Sequence, residues 1–276
     1  MVIDALLRQM KKFDKDSLKR NLDLVEVNTI ENEDMAYWLF HRTRYQKTVH
    51  SILKEFEGLD FSKIRILDIG SHYLHLPIIL KKYDCDLCGL DINTFTDLNL
   101  VKRRAKEENI DNQTIYSGLE SGKFPFEENE KFDLILFTET LEHLSFQPNK
   151  MWEGIFKLLK KDGKVYITTP NSLSLRRIAY QLFRILKFEG YGPTLEDLLL
   201  KPSYALHWKE YSPQEIRKYF RILGHKVRLC INYYRYKKLL RSFSLLNIIG
   251  LFFNLISMSI KPFREELEIW VTLQDQ

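Results

Sequence analysis

Apolar residues first recur along the chain at helical spacing. From 33 to 57, Tyr37, Leu39, Phe40, Val49, Ile52, Leu53 and Phe56 return every three or four positions with basic residues between them, the sign of a helix with one buried stripe. Residues 1 to about 60 read as helical in the same way. The pattern then switches to short apolar runs. Lys63–Gly70 ends in glycine after Ile64, Ile66, Leu67 and Ile69, as expected of a strand buried on both faces. A helix is expected near Pro77, since proline suits a first turn. Strands follow at Cys85–Ile92, Thr114–Leu119 and Phe132–Phe137, with a polar helix at 97–109 before the third.

An amphipathic helix is expected at 149–160, closed by Gly163, and then a fifth strand, Lys164–Thr168, stopped by Pro170. Strand–helix alternation over about a hundred residues predicts a doubly wound parallel sheet. Residues 171–210 break the alternation with a helix at 172–188, a Gly/Pro turn and Leu195–Leu200. An insertion after a strand's C-terminal end is placed to cap a ligand crevice, so this segment is read as a substrate cap. Ser212-Pro213-Gln214-Glu215 carries a capping box into a helix ending near Leu223-Gly224, and Lys226–Tyr236 and Glu268–Leu273 read as strands.

Composition narrows the class without naming a chemistry. With 45% hydrophobic and 29% charged residues the chain is an ordinary globular protein. Its formal charge of +5 is spread out. The clusters Lys102-Arg103-Arg104 and Lys237-Lys238 are short and read as solvated faces, which argues against DNA or RNA as partner. Cys85 and Cys88 have CxxC spacing but no second pair, so they read as small core residues in a reducing, cytoplasmic setting. The first residues carry an acid at Asp4 and no apolar run, and no signal peptide is expected. Ser242–Ile260 is 19 residues without a charge. It reads as a buried helical pair or a homodimer contact, with a peripheral membrane contact as the second reading.

Two stretches carry chemistry. Asp68 and Gly70 end the first strand, where a glycine lets the backbone turn beside a ligand at a helix N-terminus. Asp91 follows 21 positions after Gly70 at the tip of the second strand, where a doubly wound fold places an acid on a ribose diol. Glu139-Thr140-Leu141-Glu142-His143, at helical spacing, sets two carboxylates and an imidazole on one face, and His207 is available as a fourth ligand for a divalent metal. His143 acting alone as general base is the metal-free reading of the same residues.

In order along the chain, Ile66-Leu67-Asp68-Ile69-Gly70, Gly89-Leu90-Asp91, Phe124-Pro125-Phe126, Phe132-Asp133-Leu134-Ile135, Leu141-Glu142-His143-Leu144 and Leu159–Lys164 resemble the class I S-adenosylmethionine-dependent methyltransferases. The likeness extends to His207–Ser212 and Leu223-Gly224-His225. It implies a Rossmann-like fold, mostly parallel with an antiparallel C-terminal strand. N-terminal helices (1–60) would precede a methyltransferase domain (61–276) that carries the cap and an apolar insertion at 237–262. It further implies that Asp68, Gly70 and Ser71 line the methionine end of the cofactor, Asp91 holds the ribose, Ile92 packs on adenine, Glu120 reaches its amino group and Thr138 borders the methyl. The family's turn is usually GxGxG-like, whereas here it runs Gly70-Ser71-His72-Tyr73-Leu74, with His72 where a glycine normally meets the cofactor carboxylate. The ExxEH pattern with a later histidine is also similar to small-RNA 2′-O-methyltransferases, which use it for magnesium, and to ubiquinone-pathway O-methyltransferases. The function expected is O-methylation of a sugar, glycan intermediate or other small metabolite. RNA 2′-O-methylation and a non-catalytic binding subunit are the alternatives.

Overall fold

The computed structural model describes residues 34–127, 129–232 and 259–273, in two compact units divided between Tyr116 and Ser117. In the first, α1 (Met35–Glu55) is followed by β1 (Arg65–Ile69), α2 (His75–Lys81), β2 (Asp86–Asp91), the single turn α3 (Asn93–Thr96), α4 (Asn99–Glu107) and β3 (Asp111–Thr114). The strand order is β3-β2-β1, all parallel. α1 buries Val49, Ile52 and Leu53, and Phe56 just beyond it, as the apolar spacing predicts, but at its start Trp38 and Tyr45 are the buried residues while Leu39 and Phe40, expected in the stripe, are exposed. Ile66, Leu67, Ile69, Leu87, Cys88 and Leu90 supply the strand core, with Cys85 and Cys88 buried and unpaired as expected.

The third strand is Asp111–Thr114, not Thr114–Leu119. Its residues Asp-Asn-Gln-Thr are polar because it pairs only with β2 among the strands of this unit, so the apolar pattern pointed past it to Ile115. The Lys102-Arg103-Arg104 cluster also needs correction: Arg104 is 1% exposed. Its Nη2 donates to Asp34 Oδ2 at 2.6 Å, and its Nη1 donates to the carbonyl of Tyr73 at 3.0 Å. His75 Nε2 lies 2.7 Å from the same Asp34 oxygen. This buried acid–imidazole–guanidinium group ties the start of α1 to α4 and to the turn before α2.

The second unit carries β4 (Phe132–Thr138), α5 (Asn149–Lys157), β5 (Leu159–Pro170), α6 (Leu175–Leu186), α7 (Leu195–Leu200), α8 (Pro213–Ile222), β6 (Lys226–Asn232) and β7 (Glu266–Thr272). The order is β4-β5-β7-β6, with β4 and β5 parallel and β7 antiparallel to both neighbours. The antiparallel C-terminal strand is as expected. Leu134–Phe137 and Val165–Ile167 have no exposed surface, and each side chain of that size contributes about 1.5–3 kcal/mol on burial. The Ser212 capping box is formed, with Glu215 N–H donating to Ser212 Oγ and Glu215 accepting from Ser212 N–H.

Gly163 does not close α5, which stops at Lys157; it lies inside β5. A Cβ there would meet the Phe132 carbonyl oxygen at 2.9 Å, so close backbone approach explains the residue. The uncharged stretch 242–260 lies outside the described residues except for its last two positions. Among the described residues, no helix is long and apolar enough to cross a membrane.

Candidate functional site

In the first unit the turn after β1 does without its second and third glycines by holding other residues in the left-handed region. Gly70 has φ 84°, His72 φ 48° and Leu74 φ 63°. Non-glycine residues there cost roughly 1–2 kcal/mol each, so packing has to hold them. Leu74 is fully buried, and the Tyr73 carbonyl is gripped by Arg104. The His72 ring stacks on Tyr37 with centroids 4.4 Å apart and sits 4.0 Å from the Phe95 ring, while its backbone N–H donates to Asp91 Oδ2 at 2.7 Å. Histidine in place of glycine therefore leaves the turn intact, with the ring taken up by aromatic neighbours.

Asp91 ends β2, and its other oxygen, Oδ1, accepts from Ile92 N–H at 2.7 Å. Burial, opposed by these two N–H donors, pushes its carboxyl up to about 6. Asp68 is 2% exposed, and burial together with repulsion from Asp91 pushes it up to about 8. Asp68 Oδ1 and Ser71 Oγ are buried and have no hydrogen-bond partner among the described residues. A buried polar atom left unmatched costs about 1–3 kcal/mol, so two beside a sharp turn fit a polar ligand that supplies donors. The methionine and ribose ends of S-adenosylmethionine supply them, and the residues fit the cofactor. Ile92 follows directly, half-buried.

In the second unit, the expected helix over 139–143 is a three-residue 3₁₀ turn, Leu141–His143. Glu139 lies outside it at φ 50°, with its N–H bonded to Thr168 O, and it does not join the cluster; the shared helical face of Glu139, Glu142 and His143 is not formed. Glu142, His143 and His207 do meet: one ligand atom of each lies within 4.8 Å of the others, and the two rings are 4.8 Å apart.

Each member of this group is oriented from behind. His143 Nδ1 donates to the Leu206 carbonyl at 3.0 Å, and His207 Nδ1 donates to Glu210 Oε1 at 2.8 Å, which Arg177 also grips. Glu142 is 1% exposed, and its Oε2 accepts from Thr169 Oγ1 at 2.9 Å. With its Nδ1 committed to the Leu206 carbonyl, a neutral His143 ring carries its lone pair on Nε2. Burial, then repulsion from His207, lowers the His143 imidazole to about 4, so it is neutral near pH 7. Two imidazoles and a carboxylate suit a transition metal better than magnesium, which prefers oxygen. Thr138 is half-buried at the end of β4, and Glu120 is exposed in the turn Leu119–Ser121.

Spacing alone misses the Asp34–His75–Arg104 group, because its members are far apart in sequence and two of them resemble surface charges. Glu210, Arg177 and Thr169 are missed likewise. The signals for Glu210 are its place three residues after His207 and its position inside the family-like stretch His207–Ser212.

Comparison with known proteins agrees with this architecture. Residues 37–229 match the family described as "Methyltransferase domain". No curated protein sequence matches the chain significantly. Among solved structures, it resembles a Thermotoga maritima protein titled a SAM-dependent methyltransferase and possible histamine N-methyltransferase. The TM-score is 0.54 at 14% identity, covering 92% of this chain and all of the other. It also resembles phosphoethanolamine N-methyltransferase 2 of Haemonchus contortus, in complex with S-adenosyl-L-methionine, with TM-score 0.52 at 16% identity over 93% of this chain and 60% of that one. The plantazolicin methyltransferase BpumL, in complex with SAH, gives 0.52 at 16% over 97% and 100%. At these identities the likeness shows the fold, which is Rossmann-like, and the family match covers well over half the sequence. The chain belongs to the methyltransferase domain family and is a class I S-adenosylmethionine-dependent methyltransferase.

Proposed function

We propose that the chain methylates an oxygen on a sugar, glycan intermediate or other small metabolite. The observation that carries this reading is the neutral imidazole of His143, held by Leu206 O so that Nε2 keeps its lone pair. A hydroxyl is a poor nucleophile until its proton is removed, whereas a neutral amine attacks without that help. Two of the structural neighbours carry titles naming N-methylation, histamine in one case and phosphoethanolamine in the other. The oriented base is what favours oxygen here.

In this reading Asp68, Gly70, Ser71 and His72 receive the methionine end of the cofactor, Asp91 the ribose hydroxyls and Ile92 the adenine. Glu120 and Thr138 keep the adenine and methyl contacts that the family likeness implies. The cofactor supplies an electrophilic methyl on a sulfonium. His143 Nε2 takes the acceptor's proton as the oxygen attacks, and His207, tied to Glu210, orients the same group.

A second reading is favoured by the rear anchoring of both imidazoles: Glu142, His143 and His207 hold a divalent ion, which would lower the pKa of a coordinated hydroxyl. The test is methyl transfer from labelled cofactor to a panel of glycans, nucleosides, RNA and amines, with and without chelator. Transfer to a hydroxyl, lost in His143→Ala, supports the proposal, and transfer to amines alone refutes it. Chelator sensitivity restored by manganese or zinc selects the metal reading.

A further inference from the structure

The two ends of the insertion between β5 and α8 are fastened to each other. Asn171 forms a parallel bridge with Tyr211, and Ser172 N–H donates to the Tyr211 carbonyl at 3.1 Å. Asn171 has no exposed surface, and its amide donates to the carbonyls of Pro262 and Arg264 at 2.9 and 2.7 Å. Ser174 caps α6 just after this neck, with Arg177 in the first turn, and Glu210 precedes Tyr211 on the returning strand of chain. The two side chains meet. Arg177 Nη2 donates to Glu210 Oε1, and His207 Nδ1 lies 2.8 Å from that same oxygen. Arg177 Nη2 also stands 3.4 Å from His207 Nδ1.

This three-way contact decides which ring nitrogen of His207 carries the proton. An ionised carboxylate only accepts, so a bare Nδ1 at 2.8 Å would set lone pair against lone pair, and Nδ1 therefore bears the hydrogen. A neutral ring then keeps its lone pair on Nε2. Without Glu210 the balance reverses. The guanidinium, which only donates, is left beside Nδ1 and draws the lone pair there, which sends the proton to Nε2. We propose that Glu210, held by Arg177 at the neck of the insertion, is a positioning residue that fixes the His207 tautomer for methyl transfer. Arg177 makes the first turn of the insertion part of the same device. The proposal rests on the role given above to His207 beside His143, whose ring stands edge-on with centroids 4.8 Å apart. Stability is not what the pair supplies: with the arginine side chain 38% exposed, such a bridge contributes about 0–1 kcal/mol, and its variants should fold.

The test is long-range proton–nitrogen NMR of the full chain labelled in histidine, at about pH 8 with chelator present, where imidazoles are neutral and each ring nitrogen reports whether it is protonated. His207→Asn identifies the signals. Wild type is expected to carry the His207 proton on Nδ1. Glu210→Ala should move it to Nε2. Glu210→Gln should keep it on Nδ1, because an amide oxygen accepts in the carboxylate's place although the charge is gone. A proton on Nε2 in wild type overturns the proposal, and so does a Glu210→Ala ring with the wild-type tautomer. Glu210→Gln behaving like Glu210→Ala overturns it too, since loss of the ion pair alone would then explain the change. On a hydroxyl acceptor found by the transfer assay, Glu210→Ala should lower kcat on the order of 10²-fold with the KM for S-adenosylmethionine unchanged, and an unchanged kcat removes the role in transfer. Transfer to amines alone would refute O-methylation, and the ring measurement would still decide the tautomer.

Discussion

Replacing Arg104 by Met tests whether the buried Asp34–His75–Arg104 group holds the cofactor turn. Methionine keeps most of the stem's volume and removes the charge. Among the described residues, Asp34, 1% exposed, would keep His75 alone as side-chain partner, and the Tyr73 carbonyl would lose the Arg104 donor. Breaking a buried ion pair from one side costs about 3–5 kcal/mol, because the remaining charge stays desolvated. In a chain of this size that corresponds to a fall in melting temperature on the order of 10 °C.

A double-mutant cycle with Asp34→Asn separates that effect from lost packing. The double variant should recover part of the loss, with a coupling of about 2–3 kcal/mol. Burial raises the Asp34 carboxyl, but hydrogen bonds from His75 and Arg104 outweigh it and hold the group below its usual 3.8. Its stabilisation is therefore present above about pH 4 and lost as pH falls through the lowered value. Urea unfolding at pH 7 and pH 3 reads both effects. A loss under about 1 kcal/mol at pH 7, or strict additivity in the cycle, would refute the reasoning.

Three further outcomes are expected. Cofactor affinity should fall as pH drops through about 6, because protonation takes from Asp91 one of its two acceptor oxygens and the charge that strengthens hydrogen bonds from a diol; calorimetry showing equal affinity at pH 5 and 7.5 would remove Asp91 from that role. Asp68, pushed up to about 8, is protonated near pH 7, and a cationic ligand end beside it should expel that proton. Binding enthalpies would then differ between Tris and phosphate buffers for wild type and not for Asp68→Asn, and no difference in wild type counts against the assignment. Gly154→Ala should destabilise by at least about 1–3 kcal/mol, since its Cβ would lie 2.2 Å from the Gly122 carbonyl oxygen; unchanged melting would show that the backbone can give way.

What could be read from sequence follows how local the cause is. The buried strands were legible, since Leu134–Phe137 can only be buried on both faces, and so was the α8 capping box, written in four consecutive residues. The polar strand Asp111–Thr114 was not, because a strand with one partner needs no apolar run. At the candidate site, Glu142, His143 and His207 were found from residue type. Glu139 does not join them, because the backbone makes a single 3₁₀ turn at Leu141–His143 where the spacing predicts a helix. The accommodation of His72 was illegible, since it depends on Tyr37 and Phe95, 35 positions before and 23 after it. The burial of Arg104 is illegible for the same reason: its partner Asp34 is 70 residues away.

The account rests on the turn after β1 and the Asp91 carboxylate forming a working cofactor site without the family's glycines. Isothermal titration of S-adenosylmethionine into wild type and Asp91→Ala tests this most directly. Saturable one-to-one binding by wild type is predicted, weakened in the variant by about 1–3 kcal/mol, or roughly five- to 150-fold, because a ribose diol loses its acceptor. Absence of saturable binding by the folded wild-type protein would contradict the claim.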